Sequence, residues 1–328
     1  YKVIVLDSFI NSKSLAIERV KEICRIHKIN HKEKFNFVQG DLKDINIIYK
    51  TFRNSELEGF PINSVIHLAG LKAVHESIQN PLLYWDNNLI GTINLLKIMD
   101  AQNCRTLVFS SSATIYGYKS DEIIKENDLI NPINPYGNTK NAIEKILFDI
   151  FQSSNEKWKI INLRYFNPIG AHHTGLIGEE PKGIPNNIFP IILKVAAGIM
   201  PKLKIYGKNW PTVDGTGVRD YIHVMDLAEA HIASLEYLSN SDNKQMRSLN
   251  LGTGKGTSVL QLINCFEAVN KVKVPYEIVD KRKGDVASVI ADNYLAISLL
   301  KWLPKRDLKQ MCLDGWKWEI NNPKGYEN

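Results

Sequence analysis

The sequence predicts an α/β protein: a doubly wound parallel sheet with a smaller second α/β domain. Two observations lead there. Short apolar runs rich in Val, Ile and Phe alternate with longer stretches of helical periodicity. The runs are apolar on both faces, as strands covered by helices on each side must be. A third observation, the loss of this rhythm after Tyr165, marks the start of a different region.

Taken in order, strands are expected at 3–6, 35–38, 64–68, 106–110 and 159–165. A helix over 12–28 carries Leu15, Ile17, Val20, Ile23 and Ile26 at helical spacing. Helices over 44–57, 76–101 and 136–151 separate the later strands. Strand–helix alternation of this kind builds a parallel, Rossmann-type sheet. Residues 166–187 hold Pro168, Gly170, Gly175, Gly178, Pro181, Gly183 and Pro185, so a long functional loop is expected. A helix over 188–198, a strand at 203–206 and a turn at 211–217 follow. Next come a strand at 220–224, a helix over 225–238 and a strand at 248–251. Helices over 259–269, 294–302 and 308–320 close the chain. This divides the chain into a first domain over 1–166, to which 220–251 returns, and a second over 167–219 and 252–328.

Composition narrows the function. The chain has 328 residues, 44% hydrophobic and 23% charged, which rules out disorder, collagen and coiled coil. Cys24, Cys104, Cys265 and Cys312 lie far apart with no CxxC pair. Neither a disulfide framework nor a metal site is expected, and a reducing compartment fits better. No apolar run approaches the ~20 residues of a membrane span, and no signal peptide opens the chain, so a cytoplasmic location without membrane partner is expected. The net charge is 41 − 35 = +6. Its basic residues are scattered, with small knots around Lys32 and at Lys281-Arg282-Lys283, and read mainly as solvated surface rather than as a nucleic-acid face.

Three sites can carry chemistry. Asp7 ends the first strand, where an acid of a dinucleotide fold bonds the adenosine ribose hydroxyls. The glycine-rich turn expected about 20 residues before such an acid would fall before residue 1. The one internal glycine cluster, Gly252-Thr253-Gly254-Lys255-Gly256, has GxGxG spacing and reads as a backbone turn. Tyr136-Gly137-Asn138-Thr139-Lys140 opens a helix after Pro135, so Tyr136 and Lys140 share a face. A neighbouring ammonium is expected to lower the phenol from about 10 toward neutrality, making a general base. Ser110-Ser111-Ser112 ends a parallel strand, where ligands of such sheets bind. A strand-end Ser followed about two dozen residues later by YxxxK suggests nicotinamide-dependent dehydrogenase chemistry.

Longer runs carry a resemblance. Residues 65–74 (VIHLAGLKAV), 86–88 (DNN), 110–117 (SSSATIYG) and 135–140 (PYGNTK) resemble the extended short-chain dehydrogenase/reductases. Residues 163–172 (LRYFNPIGAH), 183–187 (GIPNN), 214–227 (DGTGVRDYIHVMDL), 250–256 (NLGTGKG) and 282–285 (RKGD) resemble the UDP-glucose 4-epimerase family among them. The likeness implies NAD as cofactor and a UDP-sugar as substrate. It implies Tyr136 as the base on the sugar 4-hydroxyl, Lys140 lowering its pKa and bonding the nicotinamide ribose, and Ser112 bonding the reacting hydroxyl. It places Asp7, Asn11, Asp41, Leu42, Leu68, Lys72, Asn87 and Phe166 around the cofactor. It places Asn167, Asn187, Ile188, Tyr206, Arg219, Arg282, Asp285 and Val289 around the UDP-sugar, with the two arginines suited to clamp a diphosphate. It further implies hydride transfer to NAD, a 4-keto sugar that turns over in the pocket, hydride return to the opposite face, and a homodimer through helices 76–101 and 136–151.

Departures from the family pattern add expectations. Ser8 replaces the usual Asn, and Leu68 a commoner Phe. Val289 stands where a Tyr or a small residue occurs, so UDP-N-acetylhexoses are expected to fit beside UDP-hexoses. With its glycine-rich turn falling before residue 1, this stretch alone is expected to fold poorly and to bind NAD weakly. A UDP-uronate or UDP-pentose 4-epimerase, or a catalytically silent nucleotide-sugar or NAD sensor, is the alternative. A 4,6-dehydratase would need a Thr-Asp-Glu acid pair after the strand serines, where Ser112-Ala113-Thr114 stands.

Overall fold

The computed structural model describes residues 1–117, 123–153, 158–181, 183, 185, 187–240, 242–282 and 285–327. Of the motif positions quoted above, Ile184, Asn186, Lys283 and Gly284 lie outside the described residues.

The alternating half is built from β1 (Val3–Asp7), α1 (Leu15–Ile26), α2 (His31–Lys34), β2 (Phe35–Gln39), α3 (Ile45–Leu57) and β3 (Val65–His67). It continues with α4 (Val74–Gln79), α5 (Pro81–Tyr84), a π-helical turn (Trp85–Ile90), α6 (Gly91–Ala101) and β4 (Thr106–Ser112). A 3-10 turn (Ala113–Tyr116), β5 (Ile123–Ile124), α7 (Pro135–Ser153) and β6 (Lys159–Tyr165) follow. The rest comprises β7 (Asn167–Ile169), α8 (Ile188–Ala196), β8 (Leu203–Tyr206), β9 (Val218–Arg219), β10 (Tyr221–His223), α9 (Val224–Ser239) and β11 (Gln245–Leu251). Then come β12 (Thr257–Ser258), α10 (Val259–Asn270), β13 (Tyr276–Val279), β14 (Ser288–Ala291), α11 (Tyr294–Leu300) and α12 (Leu308–Asn321).

Strands β3, β4, β6 and β11 form one parallel sheet in the order β11-β6-β4-β3, and β1 pairs in parallel with β2. The two-faced apolar character of the strands has a direct outcome. Leu107, Phe109 and Ile160 face a core with Ile48, Phe52, Met99, Ile143 and Leu147. Val108, Ile161 and Leu163 face the opposite core with Leu227, Leu235 and Leu249. Alternate residues of one strand thus feed two helical layers. A separate core joins α8, β8, α10 and α12 through Ile192, Ile205, Phe266 and Met311.

Three expectations change. The helix over 76–101 is three helical pieces and a π-turn. Pro81 lacks an N–H and pushes Asn80 out of helical geometry (φ −129°, ψ 61°), and the π-turn then re-aims Asn87 and Asn88. Residues 166–187 are not all loop, because β7 pairs with β10. The short strands β5, β7, β9, β12, β13 and β14 escaped the periodicity reading. Runs of two to four residues carry too little pattern, and tertiary pairing decides them.

The GxGxG segment is a turn. Buried Asp220 accepts from the Thr253 amide at 2.7 Å, the Gly254 amide at 2.9 Å and the Ala291 amide at 3.2 Å. The donors that a phosphate would need are already satisfied by a carboxylate. A Cβ on Gly252 would lie 2.4 Å from Asp220 Oδ2, so glycine is required for that approach. Replacing Asp220 with Ala leaves buried amides without acceptors. It should lower unfolding free energy by more than about 2 kcal/mol, read as a lower urea midpoint.

Candidate active site

The site forms where the start of α7 meets the carboxyl end of β4. Asn134 Oδ1 accepts from the Gly137 amide at 2.8 Å and closes the first turn of α7. Gly137 lets the helix press on the strand end, since a Cβ there would sit 2.9 Å from the Thr114 carbonyl. The i, i+4 spacing then buries Tyr136 and Lys140 on one face. Lys140 Nζ donates to the Ser110 carbonyl at 2.7 Å and lies 4.9 Å from the Phe109 ring centroid. The Ser112 side chain lies against Tyr136 and favours its ionised form. The Ser112 oxygen accepts from the Thr114 amide at 3.2 Å and the Thr114 hydroxyl at 3.0 Å.

Electrostatics correct one expectation. Burial raises the Tyr136 pKa rather than lowering it, and Ser112 opposes that rise. The Lys140 ammonium is committed to a carbonyl and lies 5.9 Å from the Tyr136 ring centroid. Burial in turn lowers Lys140 to about 8, with Glu144 opposing the fall. His67 beneath the site is lowered to about 3, by burial first and by Lys140 second. Its Nε2 lies 2.8 Å from Thr92 Oγ1, whose proton goes to the Asn88 carbonyl, so Nε2 carries the hydrogen.

A cleft opens between the ends of β1 and β2 and those of β3 and the π-turn. It is lined by Asp7, Asn11, Asp41, Leu42, His67, Gly70, Leu71, Asn87 and Asn88 among others. Asp7 Oδ1 holds the Phe9 amide and the Ser12 hydroxyl, both at 2.7 Å. Asp41 Oδ1 holds the Lys43 amide at 2.8 Å. Carboxylates at the ends of two adjacent parallel strands form an acceptor set that fits a dinucleotide's ribose hydroxyls and adenine amino group. Leu68 is 59% exposed and does not line this cleft. Lys72 is exposed too, and pairs with Glu179 at 2.8 Å. Phe166 is buried with Tyr116 and Ile115.

On the other side, Arg219, Arg282, Asp285 and Tyr206 gather. Arg282 Nε lies 3.0 Å from Asp285 Oδ2, and its guanidinium sits 4.5 Å from the Tyr206 ring centroid. Arg219 Nη1 donates to the Val218 and Val286 carbonyls. Burial lowers its pKa, Asp285 opposes this, and Arg282 adds a like charge. Val289 pairs with Arg219 across β14 and β9 and packs against the Phe166 cluster, so it joins the two halves of the site. Asn167 opens β7, Asn187 is the exposed N-cap of α8, and Ile188 packs on the second core.

Residues that the sequence reading missed complete the frame. Asn88 accepts from the Leu71 amide at 2.7 Å and donates to Thr139 Oγ1 at 3.1 Å, tying the β3 loop to α7. Glu144 and Arg164 form a buried ion pair. The signal for Glu144 was its place four residues after Lys140; Asn88 had none beyond its neighbour Asn87.

Comparisons with known proteins agree with this geometry. A family model described as GDP-mannose 4,6 dehydratase matches residues 1–314. The UDP-glucose 4-epimerase of Bacillus subtilis is 45% identical over 328 residues, covering 100% of this chain and 92% of that protein. The bifunctional UDP-glucose 4-epimerase and UDP-xylose 4-epimerase 1 of Pisum sativum is 45% identical over 326 residues, covering 99% and 91%. A UDP-glucose 4-epimerase from Stenotrophomonas maltophila, solved with NAD and formylated UDP-arabinopyranose, has a TM-score of 0.90 and 42% identity. That match covers 98% of this chain and 92% of that one. The chain belongs to the extended short-chain dehydrogenase/reductase family. Within it, these relatives are UDP-glucose 4-epimerases.

His67 gives a testable pH dependence. Its folded pKa of about 3 lies below the ordinary imidazole value of 6.5, so the unfolded chain binds the proton first. Its contribution is complete above pH 6.5 and declines as pH falls toward 3. Unfolding midpoints should drop between pH 7 and pH 5. In His67→Gln, whose amide can replace Nε2 toward Thr92, the curve should start lower and run flatter.

Proposed function

We propose that this chain is an NAD-dependent 4-epimerase interconverting UDP-glucose and UDP-galactose. The observation that carries this is Tyr136 beside Ser112 with Lys140 one turn on, buried in a chain that also holds the Asp7–Asp41 cleft and the Arg219–Arg282 cluster. Asp7, Asp41 and Asn87 would hold NAD, with Lys140 at its nicotinamide ribose. NAD held there would supply reversible hydride acceptance at the sugar C4.

The chain's own residues do the rest. Ser112 bonds the 4-hydroxyl, and Tyr136 takes its proton and later gives it back. Burial raises the Tyr136 pKa, so the adjacent ammonium of Lys140 is needed to hold the phenolate once the proton has moved. Arg219 and Arg282 hold the diphosphate with forked donors, Tyr206 flanks them, and Asn167, Asn187 and Ile188 complete the nucleotide end. Binding energy from the nucleotide, remote from C4, anchors the sugar while it turns. The turn after β4 reads Ala113-Thr114 and carries no carboxylate, which separates this chemistry from water elimination.

A UDP-pentose reading also has support. The pea relative's name includes UDP-xylose 4-epimerase, and the Stenotrophomonas enzyme was solved with a UDP-pentose derivative. Val289 supports acceptance of UDP-N-acetylhexoses, because a compact side chain at the hexose end leaves room for an acetamido group. A first domain over 1–166 with 220–251 carries NAD, and 167–219 with 252–328 carries the UDP-sugar. No helix of the described residues is long and apolar enough to cross a membrane, and a cytoplasmic enzyme is our reading. We read the chain as a homodimer: Ile78, Leu82 and Phe148 are 59%, 81% and 51% exposed on α4, α5 and α7.

Tyr136→Phe should lose about 10²–10⁴ in turnover of UDP-glucose while UDP binding by calorimetry persists; unchanged turnover would overturn Tyr136 as the base, and a wild-type chain that binds UDP-glucose without turnover would be the sensor. In a panel of UDP-sugars, UDP-N-acetylglucosamine should turn over, and Val289→Tyr should abolish that while sparing UDP-glucose.

A further inference from the structure

We infer that Glu144, bridged to Arg164, is a positioning residue that orients α7 and supplies the counter-charge for the Lys140 ammonium. This rests on the reading of Tyr136 and Lys140 given above.

The geometry is fully committed. Arg164 Nε lies 3.0 Å from Glu144 Oε1, and Nη2 lies 2.7 Å from Oε2, a two-point fork. The Ser111 hydroxyl donates to Oε1 at 2.5 Å. Arg164 Nη1 donates to the Tyr116 hydroxyl and to the Glu126 carbonyl, both at 2.8 Å. Tyr116 passes its own proton to Asn250 Oδ1 at 2.7 Å. The side chains of Arg164 and Glu144 are 5% and 7% exposed. One carboxylate on α7 is thus fastened to β4 and β6, and through Tyr116 to β11. Neither charge can swing away, so the helix cannot rotate about its axis.

Stability alone does not account for the pair. A buried ion pair loses about as much by desolvation as it gains by attraction, and apolar partners of the same size often do as well. Position offers the other account. Tyr136, Lys140 and Glu144 follow at i, i+4 and i+8 on one face. Among the described residues, the groups set against Lys140 are Tyr136 and Glu144 on its own helix, His67 on β3, and the Phe109 ring and Ser110 carbonyl on β4, with Arg164 reaching it only through Glu144. Tyr84 on α5 meets Tyr136 edge-on. Of these, only Glu144 carries a negative charge. It opposes the burial that drives Lys140 toward its neutral form.

The test is the pH profile of kcat/KM for UDP-glucose with the full chain. Removing both charges, in Glu144→Gln with Arg164→Gln, keeps side chains that can bond each other. The alkaline limb should move down by up to about one pH unit, because Lys140 loses its proton earlier. Glu144→Gln alone should move it the same way, and either folded variant suffices. Glu144→Asp, which retains the charge, should keep the wild-type limb with a lower kcat. A folded variant lacking the Glu144 charge with an unmoved alkaline limb would overturn the proposal. Tyr136→Phe separates the two readings. If it is inactive while the limb stays put, only the Glu144 role fails; if it stays active, the base assignment itself fails.

Discussion

The structure depends on one docking event, the seating of α7 against the carboxyl end of β4. Gly137 permits it by presenting no Cβ to the Thr114 carbonyl, and Asn134 starts the helix at the right residue. The Lys140 ammonium then seals the contact onto the Ser110 carbonyl. Everything chemical follows from that seat. Ser112 meets Tyr136, His67 is covered, and Asn88 reaches Thr139 from the π-turn. The same buried face that makes the site precise also makes its charges costly, which is why the described residues around it are nearly all neutral or paired.

That cost reverses a simple expectation. Tyr and Lys one turn apart should lower the phenol pKa by attraction alone. In the folded chain burial raises Tyr136, opposed by Ser112, and also pulls Lys140 down. The two groups are poised against each other, and the balance is held by Ser112 beside Tyr136 and by the Lys140 bond to Ser110. Proximity on a helix face established the partners. The surrounding dielectric sets their behaviour.

The second half of the molecule is stitched to the first by short strands rather than by a large sheet. β14 pairs with β5 on one side and β9 on the other, and Asp220 gathers three amides from two separate segments. Val289 lies in that seam, touching the Phe166 cluster and pairing with Arg219. Val289 is thus part of the joint between the two halves. Arg282 engages Asp285 and Tyr206, which hold its guanidinium in place.

The sequence by itself determined the long strands, the helices between them and the pairing of Tyr136 with Lys140. Those features rest on local periodicity, which a chain carries whatever its surroundings. It also marked Ser112 and Arg219 as candidates through long motif runs, and Asp7 through its place at a strand end. Tertiary structure alone decided the break at Pro81 into a π-turn, the pairing of two- to four-residue strands, and the exposure of Leu68 and Lys72. It alone decided that Asp220 fills the GxGxG turn, that Arg164 on a distant strand closes onto Glu144, and that Tyr136 is raised rather than lowered. These are matters of burial and of contacts between residues far apart in the chain. Spacing along a sequence records which side chains share a face, but not which of them lose their water.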